Sequence, residues 1–147
     1  EPDLGTAVTL IPVFIAVAYL AGMRMRILGM MALCLVLALP YTIGLNKALG
    51  LPILVGNREN FPTVEGWIGR AKRAHLNMIE NLVLFAALVL IAAVGGKANA
   101  MTATGAMIFF WARLGYAIVY LIGIPWLRTV LWAASVVGMA IIAWQLL

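Results

Sequence analysis

Charged side chains are scarce in this sequence. Lys and Arg number 10 and Asp and Glu number 5 among 147 residues, whereas 65% of the residues are hydrophobic. With a mean hydropathy of +1.08, this scarcity excludes a soluble globular domain and indicates an integral membrane protein. An alternating apolar and polar pattern is also missing, which excludes an outer-membrane barrel. The sequence therefore predicts an all-α integral membrane fold.

Cysteine is nearly absent as well. The single cysteine, Cys34, lies inside an apolar run, which excludes an internal disulfide and argues against metal ligation, so we predict no metal site. No basic run is interleaved with aromatic residues. We therefore attribute the net charge of +5 to membrane orientation and expect no nucleic-acid partner.

Five stretches of roughly membrane-spanning length follow one another along the chain. They comprise residues 5–23, 27–49, 67–94, 101–122 and 126–147. The segment 50–66 contains two prolines, three glycines and a polar cluster, so it is predicted to be a loop. In the last span, Ala134 and Gly138 form a pair of small residues that predicts close approach of a neighbouring helix.

Lys and Arg are unevenly distributed between the two ends of these spans. Six collect on the side of the central loop, with Arg113 left out as intramembrane: Lys47, Arg58, Arg70, Lys72, Arg73 and Arg128. Three lie on the other side: Arg24, Arg26 and Lys97. Because Lys and Arg favour the cytoplasmic side, segment 50–73 is predicted to be cytoplasmic.

Polar residues recur at helical spacing in the third span. Arg70, Arg73, Asn77 and Glu80 follow an i, i+3, i+7, i+10 pattern and therefore share one face of the predicted helix. An amide and a carboxylate in a membrane helix cost several kcal/mol unless they are paired. These two side chains are therefore expected to face other helices.

The fourth span carries a matching set. Arg113, Tyr116 and Tyr120 are spaced i, i+3, i+7 and share a face. An arginine deep in the membrane requires an anionic partner, and Glu80 is the acidic residue within the predicted spans. We therefore predict a structural ion pair between Glu80 and Arg113.

Above that pair, the two helices and the start of the fifth span are expected to form a polar pocket at the cytoplasmic boundary. Its predicted members are Arg70, Arg73, His75, Asn77, Tyr116, Tyr120 and Arg128. Such a pocket suits an anionic, water-soluble ligand that meets a lipid-soluble one. The alternative is a collar of snorkelling cations beneath a belt of interfacial tyrosines.

These residues carry a resemblance to a known family. The run Arg73-Ala74-His75-Leu76-Asn77 with Glu80-Asn81, followed by Ala112-Arg113, Tyr116, Tyr120 and Arg128, resembles the membrane-associated proteins in eicosanoid and glutathione metabolism (MAPEG) over roughly residues 27–147. The resemblance implies a homotrimer of four-helix protomers in a bacterial inner membrane, with glutathione as co-substrate between protomers. By matching position it assigns glutathione contact or support to Arg73, His75, Asn77, Glu80, Tyr116 and Tyr120. Arg70, on the same predicted face and in the same predicted pocket, is expected to bind glutathione with them.

The resemblance also implies a reaction. Arg128 would stabilise the glutathione thiolate and Tyr120 would donate a hydrogen bond to it, for transfer to a lipophilic electrophile or reduction of a lipid hydroperoxide. Residues 1–26 precede the matching domain, 27–147, and are expected to form an additional transmembrane helix. A rival hypothesis is a non-catalytic accessory subunit that binds a larger membrane complex through residues 1–26. A small transporter is less favoured, because the chain shows no internal repeat.

Overall fold

The computed structural model describes residues 38, 41–55 and 62–147 of the chain. Residues 41–49 are helical, and four helices follow: α1 (Leu51–Val55), α2 (Gly66–Val94), α3 (Ala100–Ile122) and α4 (Pro125–Trp144). All regular secondary structure in this part of the chain is helical, which confirms the predicted all-α fold.

Three of these helices, α2, α3 and α4, are long and apolar enough to cross a membrane. They contain 29, 23 and 20 residues. At about 1.5 Å per residue, even the shortest reaches the roughly 30 Å of a bilayer core. The last three predicted spans are thus confirmed, with each start shifted by one residue. The predicted span 5–23 and most of the span 27–49 lie outside the described residues.

The prediction of a loop over residues 50–66 needs a correction, because Leu51–Val55 forms the short helix α1. Gly50, at φ +80°, separates α1 from the helical residues 41–49. Pro52 is tolerated because the first turn of a helix leaves its N–H groups without intrahelical acceptors. Leu54 packs on a cluster formed by Tyr41, Leu45 and Ala71, so tertiary burial favours a helix where the composition indicated a loop.

The ends of α3 are set by local chemistry. At its start, the Asn99 side chain accepts hydrogen bonds from the backbone N–H groups of Met101 and Thr102, and the Thr102 hydroxyl accepts one from the Asn99 N–H. Such a capping box contributes about 1 kcal/mol. At its end, Gly123 adopts a left-handed conformation, and α4 begins two residues later at Pro125.

Close backbone contact holds α3 against α4. A Cβ atom on Gly105 would lie 2.6 Å from the Gly138 carbonyl oxygen, and one on Gly138 would lie 2.7 Å from the Gly105 oxygen. The close approach predicted at Gly138 is confirmed. Beside this crossing, the Phe85 ring of α2 stacks on the Phe109 ring of α3 with centroids 4.1 Å apart, which joins the third helix to the pair.

We expect Gly138→Ala to destabilise the protein by about 1–3 kcal/mol, because the added methyl group would overlap the backbone of α3. Thermal unfolding in detergent micelles measures this loss. Gly115→Ala is the matched control, since a Cβ atom there would meet the flexible Leu131 methyl groups at 3.4 Å. Equal stability losses in the two variants would contradict close backbone packing at Gly138.

Candidate functional site

The guanidinium of Arg113 lies at the centre of the polar contacts between α2 and α3. Arg113 is completely buried, and its Nη1 donates a hydrogen bond of 2.7 Å to Oδ1 of Asn77. Its Cζ lies 5.5 Å from the ring centroid of Phe109 and 5.2 Å from that of Tyr116. The cation is therefore held by an amide oxygen and by two aromatic faces, which attract it electrostatically.

The predicted ion pair between Glu80 and Arg113 needs a correction. Arg113 donates to Asn77, one helical turn before Glu80, and the Glu80 side chain is exposed on the protomer. No ion pair joins these two residues in the described part of the chain. Three residues along a helix rotate a side chain by about 60° from the first position. That rotation leaves the amide facing α3 while the carboxylate faces outward.

Two tyrosines continue from Arg113 toward the end of α3. Tyr116 and Tyr120 are both buried, and their rings meet edge to face with centroids 5.3 Å apart. The Arg128 guanidinium, from the first turn of α4, lies over the Tyr120 ring at 4.7 Å. The contacts among these side chains confirm the predicted shared face of α3. The turn between α3 and α4 brings the half-buried guanidinium of Arg128 to the same face.

The two arginines that open α2 have different environments. Arg70 is half-buried, and its Nε donates a hydrogen bond of 3.1 Å to the backbone carbonyl of Leu121 in the last turn of α3. Arg73 is exposed. Of the two side chains, Arg73 is thus the one accessible to a ligand in the single protomer.

His75 lies on another side of α2 from Arg73. It is buried, and its ring stacks on Tyr41 with the centroids 6.5 Å apart and the planes inclined by 25°. Sequence reasoning missed Tyr41, because an isolated tyrosine in an apolar stretch carries no spacing signal. The structure therefore places His75 toward the helical residues 41–49.

An apolar groove of about 460 Å³ runs between α3 and α4. Its lining residues come from both helices: Thr104, Met107, Ile108, Trp111, Ala112, Leu131 and Ala134. Leu131 also packs on the buried cluster of Ala74, Tyr116 and Tyr120. Leu131 therefore links the groove to the tyrosine cluster, and the groove extends from Leu131 toward Thr104 near the start of α3.

The arrangement combines cations and phenol groups at one end of the bundle with an apolar groove that runs along α3 and α4. Within residues 41–55 and 62–147, no group of three or more His, Cys, Asp or Glu side chains is placed to hold a metal ion. A guanidinium beside a phenol can stabilise an anion such as a carboxylate or a thiolate.

Comparison with models of protein families matches residues 6–147 to the MAPEG family. The chain belongs to the MAPEG family. The match begins ahead of residue 27, where the motifs alone had placed the start of the family domain, and it takes in nearly all of the first apolar stretch. Comparison with individual curated proteins finds no significant match.

MAPEG membership fits the arrangement of helices and polar residues. The family includes glutathione transferases and peroxidases as well as other members. Of the family motif on α2, Arg73 and Glu80 are exposed and Asn77 binds the buried Arg113. The membership and the three apolar helices together identify an integral membrane protein.

We expect Asn77→Leu to destabilise the MAPEG bundle by about 1–3 kcal/mol, because it deprives a buried guanidinium of an acceptor. In the double variant Asn77→Leu/Arg113→Met, the loss should be smaller than the sum of the single losses. A double-mutant cycle of unfolding free energies in micelles measures the difference, expected at about 0.5–3 kcal/mol. Strictly additive losses would show that the hydrogen bond contributes nothing to stability.

Proposed function

We propose that this MAPEG protein binds glutathione at the end of the bundle where α2 begins and α3 ends. The observation that carries the proposal is the Arg128 guanidinium stacked over Tyr120 at 4.7 Å, with Arg73 exposed at the start of α2. Glutathione carries two carboxylates and a thiol. Arginine binds carboxylates through paired charge-assisted hydrogen bonds, so Arg73 is assigned to a carboxylate of the ligand.

The thiol of glutathione is assigned to Arg128 and Tyr120. A thiol is a strong nucleophile only as the thiolate, and a neighbouring guanidinium lowers the thiol pKa because it stabilises the negative charge. Arg128 does not exchange a proton itself, since arginine remains charged at all accessible pH values. Tyr120 donates its hydroxyl hydrogen to the sulfur and so holds the thiolate in place.

The second substrate is proposed to be lipophilic, because the apolar groove adjoins the tyrosines through Leu131. In a transferase reaction, the thiolate sulfur bonds to an electrophilic carbon and the leaving group departs with its electron pair. In a peroxidase reaction, the thiolate sulfur bonds to the terminal oxygen of the hydroperoxide and becomes a sulfenic acid. The O–O bond breaks, and the departing alkoxide takes a proton from water. A second glutathione then converts the sulfenic acid into a disulfide and water.

The remaining motif residues are assigned supporting roles. Asn77 and Tyr116 both contact the buried Arg113, so they are assigned to hold α2 against α3 on the membrane side of Tyr120. His75 is buried against Tyr41 and supports the start of α2. Glu80 is exposed and available to a ligand or to a neighbouring protomer. The end of the bundle that carries these residues is proposed to face the cytoplasm, since Arg70, Lys72, Arg73 and Arg128 lie there.

We carry over to this protein the homotrimer that the family resemblance implies, and the carboxylate that α2 exposes at membrane depth favours association of protomers. A helix needs about 20 residues to cross the hydrocarbon core of a bilayer, so the stretch of α2 that ends at Val94 enters this core near residue 75. Glu80 therefore lies inside the hydrocarbon core. Its neighbours Val83 and Leu84 are 57% and 59% exposed. A carboxylate on a lipid-facing surface is costly, which favours a second protomer against this face.

Calorimetry on the detergent-purified protein should detect glutathione binding at or below millimolar concentration, the weak end of ordinary affinities. Arg73→Ala should weaken binding by roughly 10- to 100-fold, because it removes a charge-assisted hydrogen bond. Arg128→Ala should retain binding but lose the ultraviolet absorbance of the bound thiolate. Lys97→Ala, at the opposite end of the bundle, is the control and should change neither.

Two results would overturn the proposed function. One is the absence of glutathione binding at millimolar concentration. The other is full thiolate absorbance in Arg128→Ala. If binding and thiolate formation are confirmed, consumption of glutathione with an aryl halide or with a fatty-acid hydroperoxide distinguishes the transferase reaction from the peroxidase reaction.

Native mass spectrometry tests the assembly separately. Protein released from detergent micelles should give a species of three 15.8 kDa chains, the stoichiometry that the family resemblance implies, with the exposed face of α2 against a neighbouring protomer. A monomer that persists across mild detergents would contradict the homotrimer.

A further inference from the structure

The last turn of α3 contains a backbone carbonyl that its own helix cannot satisfy. In a continuing helix, the carbonyl of Leu121 would accept a hydrogen bond from the N–H four residues later. That position is Pro125, and proline has no N–H. The donor comes instead from another helix, because Arg70 Nε lies 3.1 Å from the Leu121 oxygen.

The same guanidinium packs against the turn that joins α3 to α4. Gly123 has φ +94°, and a Cβ atom on it would lie 3.5–3.7 Å from the Nε, Cδ and Cζ atoms of Arg70. The N–H groups of Gly123 and Ile124 both donate to the carbonyl of Val119, at 2.9 and 3.3 Å. The turn is therefore closed by its own backbone and held from α2 by Arg70.

This turn determines where α4 begins relative to Tyr120. Tyr120 precedes the held carbonyl by one residue, and Arg128 lies in the first turn of the helix that follows. Loss of the hydrogen bond to the Leu121 carbonyl would loosen the last turn of α3 and the turn that sets where the first residues of α4 lie. The 4.7 Å contact between the Arg128 guanidinium and the Tyr120 ring depends on where those residues lie.

We infer that Arg70 is a positioning residue: through its Nε–H it holds the α3–α4 turn, and thereby the Arg128 guanidinium over Tyr120, and it does not bind the ligand by its charge. The effect on the thiolate rests on the proposed glutathione function. The effect on the turn does not, because the hydrogen bond and the packing are present in the protomer without a ligand.

Two substitutions separate the donor from the charge. Arg70→Gln places an amide nitrogen near the position of Nε, so it keeps a donor for Leu121 and removes the charge. Arg70→Met has a similar length and removes both. Arg73→Met is the matched control, because it removes an exposed guanidinium one turn later on the same helix.

The first measurement uses the ligand-free protein in micelles. In Arg70→Met, hydrogen exchange at the amides of Gly123 and Ile124 should accelerate by roughly 3- to 10-fold, the factor that corresponds to one hydrogen bond. The ring current of Tyr120 changes the NMR chemical shifts of the Arg128 side chain. In Arg70→Met, these chemical shifts should move toward the values of an unstacked arginine. Arg70→Gln and Arg73→Met should leave both quantities near those of the unaltered protein. Unchanged exchange in Arg70→Met would overturn the inference.

The second measurement adds glutathione. Arg70→Met should bind it within about twofold of the unaltered protein, but the pH midpoint of thiolate formation should rise and kcat should fall with KM little changed. Arg70→Gln should retain the unaltered midpoint. Equal loss of glutathione affinity in both variants would overturn the inference, because it would show that the charge of Arg70 binds the ligand. If the unaltered protein binds no glutathione, the proposed function fails and the exchange measurement alone decides the role of Arg70 at the turn.

Discussion

The buried guanidinium of Arg113 is the constraint on which the polar half of the bundle depends. A charged side chain near the centre of a membrane helix costs about 2.5–3.5 kcal/mol even on insertion scales, so it requires surrounding protein. Asn77 of α2 supplies an acceptor, and Phe109 and Tyr116 of α3 supply aromatic faces. Because the acceptor lies on α2 and the guanidinium on α3, rotation of either helix about its axis would separate Arg113 from Asn77. That restriction fixes the face on which Tyr116 and Tyr120 lie.

The packing of α3 against α4 extends the ordered polar residues from Arg113 to the end of the bundle. In lipid, helices gain little from burial of apolar surface, so close backbone approach and hydrogen bonds decide how they pack. Close backbone approach occurs where Gly105 contacts Gly138. A hydrogen bond of 2.8 Å between the side chains of Asn99 and Gln145 joins the start of α3 to the end of α4. At the other end of the pair, the two-residue connection from Gly123 to Pro125 brings Arg128 over Tyr120. The packing of α3 against α4 therefore determines the position of Arg128 relative to Tyr120.

Much of this organisation could be predicted from the sequence, and the errors are informative. The spacing of Arg113, Tyr116 and Tyr120 predicted a shared face, which the ring contacts confirm. The partner of Arg113 was predicted from charge alone as Glu80, whereas a neutral amide one turn earlier faces it. The contact of Arg70 with the Leu121 carbonyl was missed, because backbone acceptors have no signature of their own. The proline four residues after Leu121 was the one available signal.

The sequence by itself determined the membrane class, the three described spans, the end of the bundle at which cations collect and the order of polar residues along each helix. These follow from hydropathy, from length and from the period of the helix, all of which are local properties. The tertiary structure decided which polar atoms pair, which arginine remains accessible and which residue, Leu131, links the apolar groove to the tyrosines. The physical reason is that a helical period fixes directions around one axis, whereas the rotation and spacing between axes depend on glycine contacts, turns and aromatic packing between segments distant in sequence.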